Sequence, residues 1–376
     1  MENFECSGDC DCSKEKNNEL ENLNTFGHMY LMVTHDCNFA CEYCFNHVEG
    51  SIIPLETAKK AVDILVKHKP PQQNNLNVTF FGGEPLLGID IIKSVKKYCR
   101  ETYPNIQWSY NITTNLSILN KIIYEEIILD PSVHVMVSLD GPKEINKRRI
   151  WKQSKEETFD FVVDNIKQTM VNPVFGFTFA DGIKKLSKRF IIRATFDTTP
   201  ESIASLYERF CFLVDNFGSN FVLMQVDESD WTKVDYQIYK NQIFKILGKI
   251  ESLQNKELYS SIKFFKDSMD SFTVNFLGLP NKMNKSCGQA FGQFAVDYTG
   301  KLSPCHRFTN IYLDGCSDYV IGDVDTGLDL EAIKRLRALD SMTLNRCEAR
   351  NCKRRGVCAF GRSEEHTSEL QSRSDL

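Results

Sequence analysis

Six apolar segments of strand length alternate with helical segments between residues 28 and 253, and this alternation constrains the fold more than any other feature of the chain. Strands that alternate with helices form right-handed β-α-β units around a parallel sheet. The sequence therefore predicts an α/β fold built as a partial (β/α)6 parallel barrel. The predicted strands are His28–Thr34, Asn77–Phe81, Gln107–Thr113, Val133–Leu139, Arg189–Phe196 and Phe221–Val226, and the predicted helices are Leu55–Lys69, Ile89–Thr102, Ser117–Leu129, Glu156–Met170, Ser202–Phe217 and Asp235–Leu253.

Three cysteines follow the first predicted strand at C-x3-C-x2-C spacing: Cys37, Cys41 and Cys44. A cubane iron–sulfur cluster normally takes four thiolates. Three ligands from one loop would leave one iron open, and an open position is how a metal site binds substrate. A zinc knuckle or buried free cysteines are the alternatives. Zinc usually takes paired C-x2-C half-sites, and Cys37 does not fit that spacing.

Other informative residues also stand at strand ends or inside a strand. Gly82-Gly83-Glu84-Pro85 follows the second predicted strand, Thr114-Asn115 follows the third, and Ser138–Asp140 closes the fourth. Active sites of parallel barrels form at this carboxyl edge, and paired glycines let a backbone approach a ligand closely. Arg193 lies inside the fifth predicted strand, where a buried arginine needs an anionic partner; a structural ion pair is the alternative.

These motifs together resemble the radical S-adenosylmethionine (SAM) enzymes. The resemblance implies that Cys37, Cys41 and Cys44 ligate a 4Fe-4S cluster whose open iron binds SAM. In that family an electron from the cluster cleaves SAM to methionine and a 5'-deoxyadenosyl radical, which abstracts a hydrogen atom from the substrate. It also implies a set of cofactor-binding residues, with Tyr43 near the adenine and an arginine at the SAM carboxylate: Tyr43, Gly82, Gly83, Glu84, Asn115, Ser138, Asp140 and Arg193.

The segment from Ser138 to Ile145 resembles the fourth-strand motif of the peptide-modifying branch of that family. An H-D pair and an arginine usually follow there. Here Asn146 and Lys147 replace the pair, and Arg148-Arg149 sits off register, so no role is assigned to these two arginines. Residues 172–186 interrupt the expected connection, and alternating phenylalanines within them predict a small inserted hairpin.

A second cysteine region begins near residue 286 and resembles the SPASM domain, which carries one or two auxiliary 4Fe-4S clusters. By that resemblance the metal ligands are Cys287, Cys305, Cys347, Cys352 and Cys358. His306 follows Cys305 directly, where sulfatase-maturing relatives have an aspartate. His306 is the candidate catalytic base, and a residue that hydrogen-bonds near the cluster is the alternative. Cys6, Cys10, Cys12 and Cys316 receive no role.

Composition excludes several classes of function. The formal net charge is −5 and no long basic stretch occurs, so nucleic acid is not expected as a partner. No apolar run reaches membrane-spanning length, and the N-terminus does not resemble a signal peptide. Fourteen cysteines without an export signal indicate thiol or metal chemistry in a reducing cytoplasm.

The expected organisation has five parts: a polar extension (1–27), the radical SAM partial barrel (28–255), a connecting segment (256–285), a truncated SPASM domain (286–361) and residues 362–376. The last part resembles the translation of a sequencing adapter and is left out of the fold.

The function expected from the resemblance is modification of a peptide or protein side chain, with thioether or other crosslink formation in a ribosomal peptide as the leading reaction. Oxidation of the sulfatase-maturase type is one alternative, and a non-enzymatic iron–sulfur electron-transfer protein is another. A low-potential donor such as flavodoxin or ferredoxin is the expected electron source. The substrate, the bond formed, the number of auxiliary clusters and the oligomeric state do not follow from the sequence.

Overall fold

The computed structural model describes residues 25–46, 50–170, 178–180, 183–185, 189–225, 234–254, 258, 292–309 and 319–337. The strands are β1 Phe26–Thr34, β2 Asn75–Gly82, β3 Gln107–Thr114, β4 Val133–Ser138, β5 Thr178–Ala180, β6 Ile183–Lys185, β7 Phe190–Phe196, β8 Phe221–Gln225, β9 Gly292–Val296, β10 Lys301–Ser303, β11 Gly322–Asp323 and β12 Gly327–Leu328. The helices are α1 Leu55–Lys67, α2 Ile89–Thr102, α3 Lys121–Ile123, α4 Lys143–Asn146, α5 Phe159–Met170, α6 Pro200–Ala204, α7 Leu206–Phe217, α8 Tyr236–Leu253 and α9 Leu330–Arg337.

The main sheet of the described residues has the strand order β12-β11-β10-β9-β1-β2-β3-β4-β7-β8. The six predicted strands are neighbours in this order, and each one runs parallel to the strand beside it. The predicted parallel α/β core is therefore confirmed. Because all six strands run the same way, their carboxyl ends form one edge of the sheet.

The sheet continues past β1 through strands that the sequence did not predict. β9 pairs with β1 in parallel, with Tyr30 opposite Ala295. β10, β11 and β12 then add in antiparallel fashion. Strands β9 to β12 thus extend the main sheet by backbone hydrogen bonds, with β9 next to β1.

The two faces of the sheet differ in polarity because side chains alternate along each strand. Ala58, Val62 and Leu65 of α1 share one buried apolar cluster with Leu31 of β1 and Val78 of β2. The opposite, inner face carries partly exposed polar side chains at His28, Asn77, Ser109, Asn111 and Arg193. Three of them form one hydrogen-bonded group with Thr79: Asn111 donates to Asn77 (2.8 Å) and to Thr79 (3.3 Å), and His28 lies 2.8 Å from Thr79.

Several predicted helices have different bounds. The helix predicted from Ser117 begins only at Lys121, because Asn120 caps it by accepting from the Ile123 N–H, and it continues as a π-helical turn over Tyr124–Ile128. The helix predicted over Ser202–Phe217 is two helices, α6 and α7. The inserted hairpin is confirmed as the antiparallel pair β5 and β6. Of the described helices, none combines the length and apolar character needed to cross a membrane.

One ionic group lies deep between α2 and the segment before β4. Lys96 is fully buried, and its Nζ lies 2.9 Å from a carboxylate oxygen of Asp130. Lys96 also donates to the Glu126 carbonyl oxygen. Burial alone would raise the pKa of Asp130, but hydrogen bonds from Ser132 and Lys96 lower it to about 2.

Candidate functional site

The cysteine loop follows β1 and is fixed from one side by the chain after β4. The Ala40 N–H donates to the Ile150 carbonyl oxygen (2.9 Å), and the Glu42 N–H donates to that of Arg148 (3.2 Å). Phe39 and Trp151 pair across this bridge with ring centroids 4.9 Å apart. These contacts hold the loop that carries Cys37, Cys41 and Cys44 in one backbone conformation at the carboxyl edge of the sheet.

The paired glycines at the end of β2 pack directly against the start of the cysteine loop. The Gly83 N–H donates to the Thr34 carbonyl oxygen and the Glu84 N–H to that of Asp36, both at 2.9 Å. A Cβ at Gly82 would lie 1.9 Å from the Thr34 oxygen, and one at Gly83 would lie 2.2 Å from the Asp36 oxygen. Gly82 also has a φ of +138°, which favours glycine. The close approach that requires these glycines is to the protein's own backbone.

Glu84 is fully buried and ties the second strand end to the third. Its Oε1 accepts from the Leu86 N–H (3.0 Å) and the Thr114 hydroxyl (2.7 Å), and its Oε2 accepts from the Asn115 N–H (2.7 Å). Burial raises the pKa of Glu84 to about 7, although these three donors act in the opposite direction. Its carboxyl group thus holds two loops together.

Asn115 in turn reaches the first cysteine. Its Nδ2 donates to Asn38 Oδ1 (2.9 Å) and lies 3.7 Å from Cys37 Sγ. The Phe39 N–H also donates to Cys37 Sγ (3.4 Å), and Asn38 donates to the Ser117 hydroxyl (2.7 Å). Two N–H groups therefore point at the sulfur of Cys37, an arrangement that stabilises a negatively charged thiolate.

A buried ionic group backs the second cysteine. Asp140 is 1% exposed and accepts from Arg149 Nε (2.9 Å) and Nη2 (3.1 Å). Arg149 Nη1 lies 3.8 Å from Cys41 Sγ. Asp140 also accepts from the Tyr43 hydroxyl and from the Thr195 N–H (2.9 Å). One carboxylate therefore connects the cysteine loop, the end of β4 and the end of β7.

The ring of Tyr43 lies near two guanidinium groups. The Cζ atoms of Arg148 and Arg149 are 5.2 and 5.4 Å from its centroid. Arg148 forms ion pairs with Glu42 (3.0 Å) and with Asp197. Tyr43 is thus held in one orientation by a hydrogen bond at its hydroxyl and by cations at its ring.

The thiols of this loop are not joined in disulfides. Burial raises the pKa of Cys37 to about 12 and that of Cys41 to about 11, and at Cys41 the Arg149 charge acts against this rise. The thiolate is the metal ligand, so metal binding here would release protons. Across the described residues, no three His, Cys, Asp or Glu side chains lie close enough together to hold a single metal ion. A cubane cluster offers a separate iron to each thiolate, so three thiols on one loop with N–H donors at two sulfurs fit such a cluster.

The remaining predicted site residues lie on the inner face. Ser138 and Arg193 are opposite each other in the β4–β7 register. The His306 ring lies 4.5 Å from the ring centroids of both Tyr30 and Phe81. Burial and the charges of Arg307 and Arg193 lower the pKa of His306 well below its usual value.

The predicted auxiliary-cluster ligands are only partly described. Cys305 is buried beside Phe308 and Tyr319 in a small apolar cluster. The other four predicted ligands, Cys287, Cys347, Cys352 and Cys358, lie outside the described residues, as do Cys6, Cys10, Cys12, Cys316 and the segment 362–376.

The structure therefore joins most predicted residues into one network: the cysteine loop, Gly82 to Glu84, Asn115, Tyr43 and Asp140. It also adds two arginines that have no role in the sequence-based prediction. Arg149 contacts Cys41 and Asp140, and Arg209 donates to the carbonyl oxygens of Asp140 (3.1 Å) and Thr195 (3.0 Å). Arg149 could have been noticed in the sequence, because Arg148 and Arg149 stand side by side after the fourth-strand motif.

Comparison with known proteins agrees with this site. The fold and the site together define an α/β protein with a parallel sheet and a three-cysteine loop at the carboxyl edge of that sheet. Residues 31–188 match the family model of the Radical SAM superfamily. Residues 31–188 of this chain are therefore similar to a radical SAM domain.

Two relatives and one solved structure illustrate the likeness. An uncharacterized protein of Methanocaldococcus jannaschii is 33% identical over 152 residues, which are 40% of this chain and 51% of that protein. This chain thus spans about half the length of that relative. The cysteine-type anaerobic sulfatase-maturating enzyme of Clostridium novyi is 24% identical over 348 residues, 87% of this chain and 84% of that protein. The structure of native anSMEcpe with bound AdoMet and Cp18Cys peptide has a TM-score of 0.63 at 17% identity, covering 89% of this chain and 88% of that one, and shows the same fold.

Proposed function

We propose that this protein is a radical SAM enzyme that modifies a side chain of a peptide or protein. The observation that carries the proposal is the loop of Cys37, Cys41 and Cys44, held at the carboxyl edge of the sheet by the backbone of Gly83 and Glu84. When bound, a 4Fe-4S cluster and SAM supply a 5'-deoxyadenosyl radical to this edge.

The chain's own residues would hold the cofactors in place. Cys37, Cys41 and Cys44 ligate the cluster in this proposal. Ser138 and Arg193 are the candidates for the SAM carboxylate, since they are neighbours on the inner face and the guanidinium is a natural partner for a carboxylate. Glu84 and Asn115 act by fixing the loops, because their side chains are occupied by protein partners.

The peptide substrate is inferred from the relatives. The anSMEcpe structure contains a peptide, and the Clostridium novyi relative is a sulfatase-maturating enzyme. Within this class we propose thioether or other crosslink formation in a ribosomal peptide as the reaction. Oxidation of the sulfatase-maturase type is the alternative, and the extended match to the Clostridium novyi enzyme favours it as the second candidate.

The carboxy-terminal region completes the proposal. Cys287, Cys305, Cys347, Cys352 and Cys358 would hold one or two auxiliary clusters of a SPASM domain. A low-potential flavodoxin or ferredoxin would supply electrons.

His306 is the candidate base. Its ring is fixed between Tyr30 and Phe81 on the inner face. The lowered pKa keeps the imidazole neutral at pH 7, which is the form that accepts a proton, and also makes it a weak base.

The test is formation of 5'-deoxyadenosine after anaerobic reconstitution with iron and sulfide, in the presence of SAM and dithionite. The expected result is product in the wild type and none in the Cys41→Ala variant. A wild type that assembles its Cys41-dependent cluster yet forms no product would favour the electron-transfer alternative and overturn the enzyme proposal.

A further inference from the structure

Arg149 is a buried cation at the cysteine loop to which the sequence motifs assign no role. It is 7% exposed, and its three donor groups are divided between two partners. Nε and Nη2 both donate to the carboxylate of Asp140, at 2.9 and 3.1 Å. Nη1 is turned toward Cys41, 3.8 Å from Sγ. The planar guanidinium fixes the angle between these donors, so binding to Asp140 also aims Nη1 at the sulfur.

The Arg149–Asp140 ion pair turns its positive end toward the sulfur of Cys41. The guanidinium is the member of the pair in contact with Cys41, whereas Asp140 is bound on its far side. Asp140 is held in turn by the Tyr43 hydroxyl and the Thr195 N–H. The pair is neutral overall, but its positive end faces the thiolate position. Inside a protein the low dielectric strengthens such an oriented interaction.

We propose that Arg149 is a positioning residue that raises the reduction potential of the cluster held by Cys41, with Asp140 as the group that orients it. This inference rests on the proposed function, because it requires a cluster at Cys37, Cys41 and Cys44. Reduction adds one electron to the cluster, and a positive charge with an N–H donor at a ligating sulfur stabilises the reduced, more negative state. Hydrogen bonds to the sulfurs and local charge are among the properties that set iron–sulfur potentials.

The consequence is a balance between two requirements of the site. A higher potential lets a flavodoxin-type or ferredoxin-type donor reduce the cluster more completely. The same shift leaves the reduced cluster a weaker reductant toward SAM. Arg149 would thus bring the reduction potential of the cluster closer to that of its electron donor.

The informative variant removes both members of the pair, D140N/R149M. It changes no net charge, because one positive and one negative group are lost together. Replacing both partners of a buried ion pair by residues of similar size is often neutral for stability, whereas removing one partner is strongly destabilising. A second variant, R149K, keeps the positive charge but lacks the rigid fork that serves Asp140 and Cys41 at once.

The matched control is R148M/D197N. Arg148 lies as close to the Tyr43 ring as Arg149 does, 5.2 against 5.4 Å, and it also forms an ion pair with an aspartate. Its described side-chain partners are the carboxylates Glu42 and Asp197 rather than a cysteine sulfur. This control therefore removes an equal pair of charges near the loop and leaves the donor at Cys41 in place.

The experiment is an anaerobic potentiometric titration of the reconstituted protein, followed by electron paramagnetic resonance (EPR) of the reduced cluster. Subtracting the same titration of the Cys41→Ala variant isolates the cluster of this loop from any auxiliary one. At the potential where the wild-type cluster is half reduced, we expect D140N/R149M to have a reduced-to-oxidised ratio at least tenfold lower, equivalent to about 59 mV for one electron. R149K is expected to fall between this variant and the wild type, and R148M/D197N to match the wild type.

Two results would overturn the inference, and they are distinguishable. Equal ratios in D140N/R149M and R148M/D197N would show that Arg149 does not set the potential, while the proposed cluster stands. Absence of any Cys41-dependent cluster signal in the wild type would instead remove the proposed function, and this inference with it.

Discussion

Replacing Gly83 with alanine should dislodge the cysteine loop. The added Cβ would lie 2.2 Å from the Asp36 carbonyl oxygen, and contacts below 3.0 Å require something to move. The two backbones must separate by about 1 Å, which stretches the 2.9 Å hydrogen bonds that Gly83 and Glu84 donate to Thr34 and Asp36. Each such bond contributes about 1 kcal/mol, and each stranded buried group costs about 1–3 kcal/mol. We therefore expect a loss of roughly 2–5 kcal/mol in the free energy of unfolding.

The assay is urea unfolding of the reduced, metal-free protein, followed by far-UV circular dichroism, with iron and sulfide counted separately after reconstitution. The control is Gly248→Ala in α8, where a Cβ would meet nothing within 4 Å and helix propensity predicts a gain of about 0.5–1 kcal/mol. Iron retention by Gly83→Ala should fall below that of the control. The reasoning fails if Gly83→Ala unfolds within about 0.5 kcal/mol of the wild type and retains its iron.

Two further changes test the ionic groups. The pKa of Asp130 is depressed from 3.8 to about 2 beside Lys96, so its ionised form stabilises the fold above pH 4, and roughly 2 kcal/mol should be lost as pH falls from about 4 to about 2. Unfolding of Asp130→Asn by urea across this range should lack that dependence, and an unchanged slope would contradict the assignment. Tyr43→Phe removes the hydroxyl that donates to buried Asp140 and should cost about 1.5–3 kcal/mol in the same assay; a loss below about 0.5 kcal/mol would show that the bond contributes little.

The parallel core could be predicted from the sequence because it depends on local patterns. Apolar strands and helices alternate over residues 28–253, and the structure has the six strands in one parallel set. Helix starts were harder, since Asn120 ends the preceding loop and begins α3 at Lys121 rather than at Ser117. The extension of the sheet by β9 to β12 could not be predicted, because it depends on the pairing of β9 with β1, which joins residues far apart in the chain.

In the candidate site, too, local motifs could be predicted from the sequence and long-range contacts could not. Cys37, Cys41, Cys44 and the following glycines were recognisable by spacing. The physical reason for the two glycines could not be predicted. Gly82 and Gly83 make room for carbonyl oxygens of the protein's own backbone, and the spacing of a motif does not reveal such a contact. Arg149 was visible in the sequence but lacked a role, because its contact with Cys41 joins residues 108 positions apart.

The central claim is that three thiols on one loop hold a cluster with an iron that is free to bind SAM. The most direct measurement is EPR of the reduced, reconstituted protein with and without SAM. The account predicts that SAM changes the cluster spectrum of the wild type, and that the responsive signal is absent from the Cys41→Ala variant. A fully assembled, Cys41-dependent cluster whose spectrum is the same with and without saturating SAM would contradict the account.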